Sequence, residues 1–318
     1  YWNMGAYCEL YINKYPIALT KNEIDPYLLS VFQKDDIKIF QRKINERYKI
    51  LYANIDEEND NEKAIQFVNN AKIIKDRLNV MGFTFSRVKE MFEISKADEI
   101  KRLKEYLDEK TIEENEDFYE KIKSEINLLD KSDIDDFLIA FKEIIQHDYG
   151  FSVDKSMLSN STSPLIFYLL EYGYGFERFP TNYDLRTLLR AFLEFVNDDE
   201  IITYDITEVV DVYYNTIDEK QIYDEIVNIY TYEFEIGDKF IILTEGTTDI
   251  YMLENSLKLL YPHLVEFYSF MDFGNSNASG SASSLVTSIK SFIGAGFKNK
   301  IIAIFDNDTA AEEAKRVL

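Results

Sequence analysis

Two apolar runs near the end of the chain, each ending abruptly in carboxylates, constrain this sequence more than any other feature. The first is Phe240-Ile241-Ile242-Leu243-Thr244-Glu245-Gly246-Thr247-Thr248-Asp249, the second Lys300-Ile301-Ile302-Ala303-Ile304-Phe305-Asp306-Asn307-Asp308-Thr309. Short β-branched runs of this kind read as strands buried on both faces of a parallel sheet. Each passes directly into helix-forming sequence. Ligands of open α/β sheets bind at the carboxyl ends of the strands, which is where these acids fall. Carboxylates gathered there repel one another unless a hard divalent cation neutralises them, and Mg²⁺ or Mn²⁺ suits oxygen donors.

Strands and helices alternate around the two runs. Strand Phe240–Thr244 leads to helix Thr248–Tyr261, closed by Pro262, and then to strand Val265–Met271. A Gly/Ser-rich loop over 274–284 precedes helix Leu285–Ala295, ended by Gly296, strand Lys300–Phe305 and a helix from Thr309. This alternation predicts a parallel sheet with right-handed crossovers. Asp306 and Asp308 lie two apart on an extended strand end, so they face one side and suit joint coordination of one cation. Glu245 is a candidate metal ligand or general base, or a helix-capping acid, and Gly246 lets the backbone approach a phosphate or metal. Asp249 opens a helix, where it serves either the metal or the helix dipole. Asp272 is a weaker candidate. The Gly/Ser loop wraps phosphate or is a plain linker; Lys290, Lys298 and Lys300 touch a nucleic-acid backbone or merely solubilise.

Upstream, Tyr7–Ile12 and Ile17–Thr20 read as a hairpin around Tyr15-Pro16, and 22–33 as a short helix interrupted by Pro26. Residues 56–62 are a polar run, either a loop or an acidic helix start. From Ala64 to Gln146 the texture is helical: Phe67, Val68, Ala71, Ile74 and Leu78 recur at helical spacing. So do Phe118, Ile122, Ile126 and Leu129, then Phe137, Ala140, Phe141, Ile144 and Ile145. A Ser/Asn-rich break over 152–164 precedes helix Leu165–Tyr174. Helix Asp184–Val196 follows with Thr181 or Asn182 as its cap, then strand Glu200–Ile206 and a helical or mixed stretch to Tyr232. Glu235-Ile236-Gly237-Asp238 is the expected junction. The expected fold is thus an α+β region over 1–237, mostly helical with a small hairpin or sheet, then an α/β Rossmann-like domain over 238–318.

The charge is unevenly spread. The chain carries −23, but from Asp238 onward ten acids meet seven bases, −3, leaving −20 to residues 1–237. An acidic N-terminal region repels DNA and RNA, so it is expected to meet protein or to lie off the substrate path; a well-solvated surface accounts for most of the acids. One cysteine and two histidines exclude an internal disulfide and a Cys/His zinc site. The apolar runs are short and no signal peptide opens the chain, so a cytoplasmic protein without a membrane span is expected.

The strand-Glu-Gly and strand-Asp-x-Asp pattern resembles the Toprim domain of topoisomerases, primases and the overcoming-lysogenization-defect (OLD) nucleases. Glu245-Gly246-Thr247-Thr248-Asp249 is similar to the nuclease branch, which carries an extra Asp after Glu-Gly. Met4-Gly5-Ala6-Tyr7-Cys8-Glu9-Leu10-Tyr11-Ile12 and Phe179-Pro180-Thr181-Asn182-Tyr183-Asp184-Leu185-Arg186-Thr187-Leu188-Leu189-Arg190 resemble the bacterial HEPN/Toprim-associated proteins. A Toprim fold normally continues for another strand and helix, so the domain is expected to be incomplete at Leu318. The resemblance implies Mg²⁺- or Mn²⁺-dependent cleavage of DNA or RNA (tRNA included) by Glu245, Asp306 and Asp308, with Asp249 as a further metal ligand. It also implies a role in antiphage defence, a homo-oligomer, and a phage-derived or host protein trigger acting at the N-terminal region. HEPN ribonucleases place a His four to six residues after an Arg; neither His147 nor His263 has one there, so a catalytic HEPN domain would lie beyond Leu318 and both histidines read as structural. The competing reading is a sensor or scaffold that binds metal or nucleotide without cleaving. Primer synthesis fits less well, for want of a zinc or basic template-binding module. No P-loop is present, so an ATPase would be a separate protein.

Overall fold

A computed structural model describes residues 5–44, 61–109, 116–147, 149, 163–171, 176, 178–181, 184–214, 221–231, 239–271 and 281–318. The chain divides into two compact units, Tyr1–Tyr230 and Thr231–Leu318. The expected junction at 235–238 lies outside the described residues, as do the polar run at 56–60, the break at 152–162 and Asp272.

The first unit begins with β1 (Tyr7–Ile12) and β2 (Tyr15–Lys21), an antiparallel hairpin turned at Asn13, whose φ of 55° suits a short polar side chain. Pro16 cannot donate to a ladder, and β2 is an edge strand where none is needed. Helix α1 (Pro26–Leu29) starts at its proline instead of being interrupted by it: Asp25 accepts the Leu28 N–H at 2.7 Å, and Pro26 supplies a preset φ at the first helical position. After a 3₁₀ turn over Lys34–Asp36 come β3 (Ile37–Lys43), β4 (Asn61–Asn70), α2 (Ala71–Val80), α3 (Phe85–Glu109), α4 (Glu116–Lys131) and α5 (Ile134–Gln146). Then follow α6 (Pro164–Leu170), α7 (Leu185–Phe192), β5 (Ile201–Asp205), α8 (Thr207–Tyr213) and α9 (Ile222–Thr231).

Among the described residues, the strands form one antiparallel sheet in the order β2-β1-β5-β4-β3. This corrects the expected helical stripe: Phe67 and Val68 belong to β4, and the helix starts only at Ala71, where the Asn70 side chain caps it. The cause is non-local. Phe67 pairs with Ile37 on one side and Tyr204 on the other, and two ladders hold residues 61–70 extended whatever their local spacing. Helix α7 also differs in its cap, which is Asp184, bonded to the Arg186 N–H at 2.9 Å.

One face of the sheet is apolar. Cys8, Leu10, Ile12, Phe67, Ile202 and Tyr204 are buried there, in one core with the inner faces of the helices. That core is rich in phenylalanine: Phe141 stacks on Phe192 with centroids 3.6 Å apart, and Phe176 and Phe179 meet Phe192 edge-on. The other face carries a buried polar network. Arg42 donates to Asp205 at 2.6 Å and to Glu62 at 2.7 Å, Gln66 donates to Asp205 at 2.7 Å, and the Tyr11 hydroxyl donates to Glu9.

The second unit contains β6 (Phe240–Thr244), α10 (Thr247–Leu260), a 3₁₀ segment over Pro262–Phe267, β7 (Tyr268–Phe270), α11 (Ala282–Gly294), β8 (Ile301–Ile304) and α12 (Thr309–Lys315). The strands are parallel, in the order β7-β6-β8. Two expectations need correcting. The second strand is shorter than Val265–Met271, because Pro262 opens a 3₁₀ segment that uses up residues through Phe267. Burial on both faces holds for the inner part of β6, where Leu243 is fully buried, but not for β8, whose Ile302 and Ile304 are 40% and 42% exposed. Leu285, Ile289 and Phe292 of α11 pack with Leu243, Ile301 and Ala303 on one side of the sheet. The architecture is therefore α+β, mostly helical, with an antiparallel sheet and a small parallel sheet near the C-terminus. No helix among the described residues is long and apolar enough to cross a membrane.

Candidate functional site

Strands β6 and β8 are parallel neighbours, with Thr244 opposite Ile304, so the residues after them leave the sheet at the same end. The sheet thereby joins two acidic clusters distant in sequence: the carboxylate of Glu245 accepts the backbone N–H of Asp306 at 2.8 Å. The half-buried Glu245 carboxylate is thus held by a backbone donor, whereas the Asp306 side chain is exposed.

The remaining acids are placed by the helices that follow. The Thr244 hydroxyl donates to the Gly246 carbonyl at 2.6 Å, and α10 begins at Thr247. A Cβ on Gly246 would stand 3.2 Å from Asp249 Oδ2, so glycine here makes room for the Asp249 carboxylate to fold back on the loop. Asp308 Oδ1 accepts the Ala311 N–H at 2.8 Å and caps α12, a role the strand-end spacing does not foretell. Lys300 lies over the Phe240 ring at 5.2 Å. The His147 ring lies 3.0 Å from the Glu143 carbonyl and stacks on Tyr149, and His263 meets Tyr261 edge-on.

Among the described residues no three His, Cys, Asp or Glu side chains are gathered as a metal-binding group. Mg²⁺ does not require one. It retains several waters and is usually held by one or two carboxylates together with substrate phosphate. Glu245 and Asp306, hard oxygen donors at adjacent strand ends, fit that donor set.

A second concave site lies in the first unit, where sequence spacing gives no sign of it. A cleft of about 510 Å³ is lined by Tyr27 of α1, Phe83, Arg87 and Met91 around the start of α3, and Asp184 and Arg186 at the start of α7. Gly82, with φ +96°, reverses the chain after α2, and the Phe83 N–H returns to the Leu78 carbonyl at 2.8 Å. Arg186 is held by Asp184 in a two-pronged contact, Nε to Oδ1 at 3.1 Å and Nη2 to Oδ2 at 2.9 Å. Its guanidinium lies 4.7 Å from the Tyr27 ring and 4.5 Å from the Phe83 ring. These residues come from three separate segments between positions 27 and 187, too scattered to form a motif.

The model of the HEPN/Toprim N-terminal domain 1 family matches residues 4–226, and the chain belongs to that family. Glu245, Asp249, Asp306 and Asp308 lie beyond the matched segment. No curated protein and no solved structure matches the chain.

Proposed function

We propose that residues 238–318 form a Toprim-type nuclease domain, similar to the OLD-class enzymes, which hydrolyses phosphodiester bonds of DNA or RNA with Mg²⁺ or Mn²⁺. The observation that carries this reading is the meeting of Glu245 and Asp306 at the carboxyl ends of adjacent parallel strands. Asp306 and Glu245 would hold the cation, with Asp249 and Asp308 as further ligands or as groups that order the two loops. A cation bound there supplies charge neutralisation on the phosphate and an activated water. The chain's own part is to position: the Asp306 N–H fixes Glu245 before any substrate arrives, and Gly246 keeps the backbone of that loop clear. In this reading the protein is a cytoplasmic, oligomeric antiphage factor, and the acidic N-terminal unit receives a phage-derived or host protein trigger.

One observation favours a second reading, a sensor or scaffold that binds metal without cleaving: Asp308 is engaged as a helix cap. Cleavage of plasmid DNA and total tRNA by the purified chain with Mg²⁺ or Mn²⁺ separates the two, run beside Glu245→Ala and Asp306→Ala. Cleavage lost in both variants supports the nuclease. Cation binding by calorimetry that depends on Glu245, with no cleavage of either substrate, supports the sensor.

A further inference from the structure

The cleft in the first unit combines two aromatic side chains, Tyr27 and Phe83, with Arg87, a positive charge that has no carboxylate partner among the described residues. Arg186 adds little net charge, because Asp184 neutralises it; its guanidinium lies over both the Tyr27 and Phe83 rings, with its side chain 16% exposed. Arg87 is different. It is exposed, and among the described residues it has no carboxylate partner; its guanidinium lies 5.9 Å from the Phe83 ring. In a chain whose residues 1–237 carry −20, a guanidinium with no carboxylate partner among the described residues stands out at the edge of an aromatic cleft.

The volume, about 510 Å³, falls within the range of roughly 300–1,000 Å³ usual for small-molecule sites. The chemistry narrows the ligand further. Tyr27, which is 43% exposed, and Phe83 offer ring surface to a planar group, and Arg87 offers a fork of donors to an anionic oxygen. Inorganic phosphate alone would leave the rings wet. A nucleoside alone would leave Arg87 without a counter-charge. An acidic side chain of a peptide would bring charge to Arg87 but no ring surface to cover the aromatic side chains. A heteroaromatic base joined to phosphate satisfies both halves of the site.

We propose that the cleft bounded by Tyr27, Phe83, Arg87 and Arg186 binds a nucleotide, its base on the aromatic platform and its phosphate on Arg87. The site belongs to the family-matched unit and does not depend on the nuclease reading of the carboxylates.

Isothermal titration calorimetry on the full chain, with AMP, ATP, adenosine and inorganic phosphate in separate titrations, tests it. AMP or ATP is expected to bind, with adenosine and phosphate each weaker by about tenfold or more, the size of one charge-assisted contact. Arg87→Gln should weaken AMP about tenfold while leaving adenosine unchanged, and Tyr27→Ala should weaken both. Arg87 is exposed, so its variant should unfold at the wild-type temperature, which controls for misfolding. The proposal is overturned if neither nucleotide binds, if phosphate binds as tightly as AMP, or if Arg87→Gln leaves AMP affinity unchanged.

Discussion

Glu245 and Asp306 are joined by a single hydrogen bond, from the Asp306 N–H to Glu245 Oε1 at 2.8 Å, across 61 residues of sequence. Neither residue sits on a strand; each follows one, and the parallel pairing of β6 with β8 brings the two strand ends side by side. The bond therefore depends on strand order, and it places two carboxylate-bearing residues at the same end of the sheet.

Asp308 offers a test that separates structure from chemistry. Asn caps helices as well as Asp does, whereas Ala loses the cap at a cost of about 1 kcal/mol. Asp308→Asn is expected to keep the wild-type melting temperature and Asp308→Ala to lower it. If Asp308 also holds the cation, both variants lose metal-dependent cleavage. Full cleavage by Asp308→Asn would restrict its role to the cap of α12.

Asp36 and Arg77 form a buried ion pair, each side chain only 3% exposed, with Arg77 also donating to Gln33 Oε1 at 2.7 Å. Removing one partner strands a charge in the interior. Asp36→Ala is expected to cost about 3–5 kcal/mol, read as a lower urea midpoint at unchanged slope.

Asp25 links stability to pH. Its burial raises the carboxyl above its ordinary value, against the bond from the Leu28 N–H and with a further push from Asp184. A raised value means the folded chain holds the proton more tightly than the unfolded chain. The group's stabilising contribution is therefore full below the ordinary carboxylate pKa and declines as pH rises through the folded value. Asp25→Asn keeps the cap of α1 and removes the buried charge. It should be more stable than wild type at neutral pH, with the difference vanishing as pH falls to about 4.

Phe192 is fully buried and stacked on Phe141 at the centre of the aromatic core. Phe192→Ala is expected to cost about 3–5 kcal/mol in denaturant unfolding, more than Phe192→Leu, because the cavity left is larger.

Cys8 has no exposed surface, and burial holds its thiol well above the usual range. Both effects suppress the reactive thiolate. Alkylation by iodoacetamide at neutral pH should proceed at the unfolded rate only in denaturant; fast labelling of the native chain would contradict the packing of β1.

Where local pattern and tertiary demand agree, the elements were legible. Phe240–Thr244 reads as a strand and is one, since a short run rich in apolar and β-branched residues has few alternatives. The spacing of Phe137, Ala140, Phe141 and Ile144 marks the buried face of α5, because a helix repeats its inner face locally. Phe67 and Val68 mislead for the opposite reason: their spacing suits a helix, and only pairing with β3 and β5 makes them extended. Pro26 misleads because its effect depends on whether it begins a helix or interrupts one, and the Asp25 cap makes it the start.

The candidate site divides along the same line. The sequence alone identifies Glu245, Asp249, Asp306 and Asp308 as acids following apolar runs, since that pattern is local. Which of them meet was decided by the tertiary structure: the order β7-β6-β8 sets Glu245 against Asp306, the start of α12 engages Asp308, and the Tyr27–Arg87–Arg186 cleft assembles from three separate segments. Local pattern records what a residue does within its own element, whereas proximity between distant residues is set by packing, and packing depends on the whole chain at once.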